Sequence, residues 1–426
     1  MKKIIIASLF SLGFLSGYSQ QLLTLEECCN IAVENNKQGK LSDFSIQKAQ
    51  LQVKNMNSNF LPKLSAVGGY LYADKDFGAE LMPSVAAELN LNNTYTGGVQ
   101  IEQPLFLGGK LIAAKKMAQS GLSIAGLNKD KTDSDIRFET EKVYWNVIKA
   151  KELQKVSEKY LQTVDELYRT VESYHRTGMA SQNELLKVKV KVNEAKLSQK
   201  RSENAVRLAK MSLCHLMGIP LDKNVDVVNG LSSMPQSFSR NILSIENRFE
   251  YKIFSENIRL KTQEIKSVRS DFLPRVGLVA GYNYMNGVKL NGTKLISDDV
   301  FAVMLSVKIP LFHWGEGLRK IKSAKIEQQM AVVQRDELAE KIQLEVLQAV
   351  NLLDESELEV KLTESAFNEA TESLRESKKN YETGMETLVN YMDTQSAWQK
   401  AWAECISAQI DYQIAKASYL KTSGLR

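Results

Sequence analysis

The stretch Phe60-Leu61-Pro62-Lys63-Leu64 recurs 212 positions later as Phe272-Leu273-Pro274-Arg275-Val276. The pair Gly69-Tyr70 returns at the same offset. Three further landmarks return 206 positions later and in the same order: Pro104-Leu105-Phe106 as Pro310-Leu311-Phe312, Thr177-Gly178-Met179 as Thr383-Gly384-Met385, and Gly218 as Gly424. Five landmarks in one order indicate an internal two-fold sequence repeat. The one length difference falls between the paired prolines, where surface loops tolerate insertion.

Each half carries two segments of alternating hydrophobicity between its paired prolines. They cover residues 64–72 and 94–103 in the first half, and 275–284 and 301–309 in the second. Each segment is about 9 to 11 residues long with a period of two, which is typical of a tilted membrane-spanning strand. Two pairs with turn chemistry, Asn286-Gly287 and Asn291-Gly292, lie between the second-half segments.

This strand pattern leaves two interpretations open. The hairpins could place one apolar face over a soluble core. If they face lipid instead, an open four-stranded sheet cannot cross a bilayer, because its edge amides would lack hydrogen-bond partners. The smallest bacterial barrels have about eight strands, so several chains would then have to combine their strands.

Two long proline-free segments, 105–177 and 311–383, have strong helical composition. Roughly 68 residues at about 1.5 Å each predict a helix on the order of 100 Å. Heptad spacing near the end of each segment predicts a packing seam: Leu153, Tyr160, Leu167 and Tyr174, and again Val360, Phe367, Leu374 and Tyr381. A returning helix is predicted after each Thr-Gly-Met turn. Residues 188–192 alternate like a strand, but their flanks favour a helix.

The first 19 residues predict a secretory signal peptide. Lys2 and Lys3 precede an apolar run, and Gly17-Tyr18-Ser19 provides a small-residue exit. Cys28 and Cys29 lie too far from this exit to predict a lipid anchor. The remaining chain is divided into a first repeat over 20–218, a linker over 219–244, and a second repeat over 245–426.

Composition argues against several functional classes. The chain has 426 residues, is 43% hydrophobic and 25% charged, and has a net charge of +5, too small a bias to favour nucleic acid as a partner. The three histidines are scattered and the four cysteines lack metal-binding spacing. We therefore predict no catalytic, cofactor-binding or metal site, and no enzyme. The thiols are interpreted as small helix-packing residues, with a disulfide framework as the alternative.

The order and spacing of these motifs resemble an outer-membrane efflux protein of the TolC family. The match begins with Leu25-Glu26-Glu27 and Ala32-Val33-Glu34-Asn35-Asn36, and continues through both Phe-Leu-Pro and both Pro-Leu-Phe elements. It is completed by the segments from Tyr174 to Met179 and from Tyr381 to Met385, and by Leu216-Met217-Gly218-Ile219-Pro220. The resemblance covers essentially the whole chain after the signal peptide.

The resemblance implies a mainly α fold with membrane β-structure. Long antiparallel helical hairpins would form a periplasmic α-barrel, and four strands per chain would contribute to a 12-stranded β-barrel of a homotrimer. The location would be the outer membrane of a Gram-negative bacterium, in contact with lipid and extending into the periplasm. Partners would be a periplasmic adaptor (membrane fusion) protein and an inner-membrane transporter of RND, ABC or MFS type. The trimer would be a passive duct exporting small molecules or proteins.

The resemblance also implies roles for individual residues. Adaptor-docking tips map onto Thr177, Gly178 and Met179, and onto Thr383, Gly384 and Met385. Relatives narrow the periplasmic entrance with acids at the positions of Asn390 and Asp393. A single ring of Asp393 carboxylates would attract cations. Glu184 and Glu386 occupy two latch positions of relatives, and since both are acidic, no such latch is expected.

Simpler roles remain open for these positions. Each tip glycine could only cap a helix, and Asp393 could be a solvated surface residue. At the level of the whole chain, the main alternative is a periplasmic structural coiled-coil protein with soluble β-hairpins. A simple porin is the other, although a porin has no use for helices about 100 Å long.

The barrel interpretation is tested by placing a charge in the middle of a predicted strand. We expect Leu305→Arg to prevent assembly into heat-resistant trimers in outer-membrane fractions, because a basic side chain facing lipid costs about 2 to 4 kcal/mol. Leu305→Ile is the matched control and should assemble normally. Normal assembly of the arginine variant would show that this strand does not face lipid.

Overall fold

The computed structural model describes residues 21–72, 74, 77–82, 85–90, 93–230, 245–290 and 293–425. The predicted signal peptide therefore lies outside the described residues. The chain divides into two compact units. The first contains segments up to residue 41, 131–245 and 341–426, and the second contains 42–130 and 246–340. Each unit draws on both halves of the sequence repeat.

All described helices except the first, Leu25–Asn35, have a repeat equivalent of the same length with the same ends. The described chain contains α1 (Leu25–Asn35), α2 (Lys37–Ser58), α3 (Lys110–Arg176), α4 (Gln182–Leu216), α5 (Phe249–Ser270), α6 (Glu316–Glu382) and α7 (Leu388–Thr422). The long helices α3 and α6 have 67 residues each, and the returning helices α4 and α7 have 35 each. At about 1.5 Å per residue, α3 and α6 are on the order of 100 Å long, as predicted. Residues 188–192 are helical, so the interpretation that overrode their local alternation is confirmed.

The second unit contains one antiparallel sheet with four long and two short strands. Its described strands are β2 (Lys63–Leu71), β3 (Phe77–Met82), β4 (Val85–Asn90), β5 (Thr94–Leu107), β7 (Arg275–Leu290) and β8 (Thr293–Lys308). The pairing order is β2-β5-β7-β8, and β4 joins the end of β7 and carries β3. The four long strands were predicted from the sequence, but β7 and β8 extend over 275–290 and 293–308, beyond the predicted segments 275–284 and 301–309. The β3–β4 hairpin was not, and it lies in the first-half segment that is longer than its second-half counterpart.

Two local details differ from the predictions, and one prediction falls outside the described residues. Asn286-Gly287 is not a turn: β7 continues through it with a bulge, and Gly287 takes φ of 109° there. Asn291-Gly292 lies outside the described residues. In the first unit, β1 (Gln21–Leu23) pairs in parallel with β6 (Val225–Val227), so the predicted linker contains a short strand. Three-residue strands are too short to give a periodic signal.

Hairpins β2–β5 and β7–β8 share one register. Leu64 pairs with Ile101 in the first hairpin, and their repeat equivalents, Val276 and Val307, pair in the second. At the other end, Tyr70 pairs with Tyr95, matched by Tyr282 with Phe301. The duplication therefore extends to individual backbone pairs.

The hydrophobic core lies between helices of the first unit. Of the predicted seam of α3, Tyr160 and Leu167 are buried and Leu153 and Tyr174 are partly buried. In the seam of α6, Val360 is buried and the other three residues are partly buried. Val188 and Val192 of α4 are buried against this region whereas Val190 is exposed, as a helical period requires. The four cysteines are free and buried, which agrees with the helix-packing interpretation rather than a disulfide framework.

The outer strands of the second unit's sheet have exposed side chains wherever the structure describes them. Every residue of β2 is exposed, and consecutive large residues of β8 such as Val303, Met304 and Leu305 are exposed as well. Since consecutive strand residues point to opposite faces, both faces of this strand are uncovered. The alternative in which the hairpins cover a soluble core finds no such core among the described residues. None of the helices in the described ranges is long and apolar enough to cross a bilayer.

The helical hairpin of α3 and α4 has a glycine with positive φ in its tip turn, Gly178, and another just after its end, Gly218. These two glycines allow a matched test. A Cβ at Gly218 (φ 65°) would lie 2.7 Å from the Asn35 carbonyl oxygen, whereas a Cβ at Gly178 (φ 79°) would meet nothing within 4 Å. Left-handed backbone costs an alanine about 1–2 kcal/mol at either site. We expect Gly218→Ala to lower the melting temperature clearly more than Gly178→Ala, measured by circular dichroism in detergent. Equal shifts in melting temperature would show that the backbone near Asn35 moves away from the added methyl group without loss of stability.

Candidate functional site

The first hairpin tip, residues 177–181, connects α3 to α4. Gly178 takes the left-handed conformation, and the amide of Met179 donates to the Tyr174 carbonyl at 2.8 Å. The Gly178 amide donates to the His175 carbonyl at 3.1 Å. These two bonds close the helix end in the pattern that glycine favours after a C-terminus. The Thr177 hydroxyl also donates to the Tyr174 carbonyl, at 3.0 Å.

The second hairpin tip, residues 383–387, connects α6 to α7 and repeats this geometry. Gly384 has φ of 74°, and the Met385 amide donates to the Asn380 carbonyl at 2.8 Å. The Thr383 hydroxyl donates to the same carbonyl at 3.1 Å. Both glycines therefore cap helices, and the capping role is present at both predicted tips.

Each tip presents an exposed methionine beside open space. The side chains of Met179 and Met385 are both 72% exposed. An added Cβ at Gly178 or at Gly384 would meet no atom within 4 Å. The tips thus combine a capped backbone with an exposed, adaptable apolar side chain.

Helices α4 and α7, which follow the two tips, have different N-terminal caps. Ser181 and Glu184 form a reciprocal capping box at the start of α4, in which the Ser181 amide donates to the Glu184 carboxylate at 2.7 Å. At the start of α7, the Thr387 hydroxyl accepts from the Asn390 amide at 3.3 Å. Glu184 is therefore occupied within its own helix cap. Glu386 precedes the second cap and takes no part in it.

The two helical hairpins of one chain, α3–α4 and α6–α7, pack together in the helical turns next to their tips. Leu167, Val171 and Val188 share a buried cluster with Leu388 and Tyr391. Tyr391 also stacks on a tyrosine of α6, Tyr381, with ring centroids 5.3 Å apart and an interplanar angle of 19°.

Burial shifts the titration of the α6 tyrosine in this stack. Burial, with the nearby Glu184 carboxylate as a smaller cause, raises the pKa of Tyr381 to about 12. Since the neutral phenol is then favoured by the folded chain, this contribution to stability is complete below about pH 10 and is lost as the pH rises toward 12.

The predicted entrance residues lie on the first turns of α7, and both are exposed. Asp393 lies close enough to α4 for its charge to act on Lys191. Lys191 also donates to Glu194 at 3.1 Å, and this hydrogen bond is the main reason that the pKa of Lys191 is raised. A lysine thus accompanies the predicted acid. No sequence signal indicated this neighbour, because it comes from the other half of the repeat.

The described residues hold no cluster of histidine, cysteine, aspartate or glutamate suited to a metal ion. A cavity of about 630 Å³ in the first unit is lined by residues including Cys29, Arg137 and Lys421. Lys421 is engaged there with Asp135 at 2.6 Å and lies over the ring of Phe138 at 4.8 Å. This cavity does not involve any of the predicted site residues.

Comparison with known proteins places this geometry in a family. The chain matches the family model for outer membrane efflux protein over residues 29–219 and 247–424. It is 20% identical to the proteases secretion protein PrtF of Dickeya chrysanthemi, over 96% of this chain and 90% of that protein.

Solved structures show the same fold. The CusC structure superposes with a TM-score of 0.77 at 16% identity, covering 98% of this chain and 96% of that chain. The CmeC outer membrane channel of Campylobacter jejuni gives a TM-score of 0.75 at 17% identity, covering 94% and 85%. With its duplicated hairpins, its four long strands and a family match over both halves, the chain belongs to the outer membrane efflux protein family.

Proposed function

We propose that three copies of this chain form a passive duct that exports small molecules or proteins across the outer membrane. The observation that carries this proposal is the four-stranded path β2-β5-β7-β8, whose outer strands β2 and β8 each pair on one side only and have exposed side chains. In lipid, both edges must be paired, and a closed barrel is the only arrangement of strands that does so. Four long strands per chain cannot close a barrel alone. Three copies would supply the twelve strands that the family resemblance implies.

Exposed stripes on two helices support assembly of several copies. On α4, apolar residues recur at helical spacing on one face: Leu186, Val190, Leu197 and Leu208. On α6, another exposed apolar face is formed by Leu344, Leu347, Leu358 and Leu362. All eight side chains are at least half exposed in a single chain. Apolar stripes of this length are rarely left in water, so second copies are the natural cover.

The two hairpin tips are proposed to dock a periplasmic adaptor protein. Their support is the pair of exposed methionines on capped turns described above. Through the adaptor, the duct would receive its cargo from an inner-membrane transporter of RND, ABC or MFS type. The energy for export would come from that transporter, so the duct itself needs no catalytic group or cofactor. A relative named for protease secretion supports proteins as one class of cargo.

Asp393 is proposed to line a narrow periplasmic entrance. Three copies would contribute three such carboxylates and three nearby Lys191 ammonium groups. Asn390 takes the place of a second acid, so the entrance would carry one acidic ring. The nearby Lys191 ammonium groups would reduce the negative potential of that ring. Cation attraction should therefore be weaker than at an entrance with two acidic rings.

Adaptor docking is tested at the tip glycines. We expect Gly178→Trp combined with Gly384→Trp to abolish co-purification of the adaptor from cross-linked, detergent-solubilised envelopes, detected by mass spectrometry. The paired alanine variant is the control, because it carries the same left-handed strain without the bulk of an indole. Unchanged adaptor recovery with both tryptophans would remove the tips as the docking surface and would favour a simple porin.

The entrance is tested by conductance in planar bilayers. We expect a trivalent cation added on the periplasmic side to reduce current through the wild-type channel, and Asp393→Asn to relieve this block. Asn390→Asp restores a second acidic ring and should strengthen the block at a lower cation concentration. If Asp393→Asn leaves the block unchanged, Asp393 does not line the entrance.

A further inference from the structure

The helix ends next to the four long strands carry an excess of basic residues. They hold 13 lysines and arginines and three acidic residues, over 52–64, 105–120, 262–276 and 308–325. The segments at the other ends of these strands, 72–94 and 284–300, hold six acidic and three basic residues. Since the whole chain has a net charge of only +5, the basic excess is a local feature of one end of the sheet.

A cavity of about 380 Å³ lies within this basic region, between the start of α3 and the end of α5. Sites for small ligands commonly have volumes of about 300–1,000 Å³. The cavity adjoins the turn Gly108-Gly109, which follows β5, and it reaches Leu273, which lies two residues before β7. It therefore lies at the level where two of the long strands meet their helices.

Three basic side chains line this cavity: Lys116 of α3, and Lys266 and Arg269 of α5. We call these three residues the cavity cations. Lys266 and Arg269 are three residues apart, so they lie on the same face of their helix. Within the described ranges, none of the cavity cations forms an ion pair or a side-chain hydrogen bond.

The acidic residues next to the cavity cations on α5 and just after it are held by other basic residues. Asp271 lies 2.8 Å from both Lys110 and Arg275. Glu264 lies 2.8 Å from Lys261. The cavity cations thus have no carboxylate of their own in the part of the chain that the structure describes. Positive charges that converge without a counter-ion favour an anionic ligand.

Two further features of the cavity wall suit a ligand with oxygen atoms. The side-chain oxygen of Gln263 is buried and has no hydrogen-bond partner among the described residues. A ligand hydroxyl would satisfy this acceptor, which is costly to leave unpaired. On the opposite wall, a Cβ at Gly109 would meet no atom within 4 Å, so the backbone that leads into α3 is open there. The first amides of a helix lack intrahelical partners and favour phosphate.

We propose that this cavity binds a phosphate group, as an anionic phospholipid presents it in the periplasmic leaflet of the outer membrane. The guanidinium of Arg269 would donate to two phosphate oxygens, and the two lysines would each donate to a remaining oxygen. Basic clusters next to a membrane-spanning segment attract anionic headgroups. The exposed side chains of Ile112 and Leu273, which also line the cavity, would contact the lipid chains.

The site belongs to one half of the sequence repeat only. The repeat equivalents of Gln263 and Arg269 are Leu51 and Asn57, which offer neither the acceptor nor the charge. The proposal goes beyond the duct function, because it concerns two helices of one chain in a membrane and does not depend on the number of copies.

The site is tested by lipid binding to the purified protein in a non-ionic detergent. Native mass spectrometry would measure the binding of phosphatidylglycerol and of phosphatidylcholine, whose headgroup has no net charge. We expect Lys116→Gln combined with Lys266→Gln to weaken phosphatidylglycerol binding at least about tenfold, because the loss of one charge-assisted hydrogen bond already has an effect of this size. Phosphatidylcholine should bind the wild type more weakly than phosphatidylglycerol does.

The matched control is Lys322→Gln combined with Lys54→Gln. These lysines are the repeat equivalents of Lys116 and Lys266, are equally classed as exposed, and do not line the cavity. The control should bind phosphatidylglycerol as the wild type does, and both double variants should keep the wild-type melting temperature.

A second variant, Gln263→Leu, copies its repeat equivalent. It should weaken binding of phosphatidylglycerol, whose headgroup carries hydroxyl groups, without lowering the melting temperature of the lipid-free protein, because it removes a buried atom that has no partner.

Competition with glycerol phosphate separates a lipid from a soluble ligand. Retention of bound phosphatidylglycerol in a large excess of glycerol phosphate supports the lipid, and its displacement assigns the same cavity to a soluble phosphate ester. Wild-type affinity for phosphatidylglycerol in the Lys116 and Lys266 double variant, an equal loss in the control, or equal binding of the two lipids to the wild type would overturn the proposal.

Discussion

The unpaired backbone groups along β2 and β8 are the constraint on which the rest of the structure depends. A helix satisfies its own amides, but an edge strand does not, and in a bilayer no water replaces the missing partner. Among the described strands, β2 and β8 each pair on one side only, and their described side chains are exposed. The proposed assembly of several copies would supply the partners that these outer strands lack in a single chain.

The internal repeat explains how one chain can provide both sides of the joint that assembly requires. Duplicated hairpins of the same register place a second-strand edge at one side of the sheet and a first-strand edge at the other. Inside the chain, those two kinds of strand already meet as β5 and β7. The same logic extends to the helices, where α4 and α6 each keep one exposed apolar face. Repetition thus gives one chain two outer strands that are equivalent to the inner pair β5 and β7.

Much of this fold could be predicted from the sequence, because strong hydrophobic periodicity and the absence of proline both favour long regular elements. The 67-residue helices, the four long strands and the capped turns were all visible in it. The β3–β4 hairpin was not, since its short strands give little period, and Asn286-Gly287 was misassigned because a β-bulge uses the same residues as a turn. At the candidate site, the turn glycines were predictable from local rules. Lys191 beside Asp393 was not, because tertiary packing alone brings α4 to α7.

Hydrogen exchange measures whether the backbone amides of the outer strands have hydrogen-bond partners. In the purified protein in detergent, we expect the amides of Lys63–Leu71 and Thr293–Lys308 to exchange as slowly as those of the inner strands Thr94–Leu107 and Arg275–Leu290. Protection of this kind requires a partner that the single chain does not supply. Fast exchange along both edges, with the inner strands protected and the particle at the mass of one chain, would contradict the account.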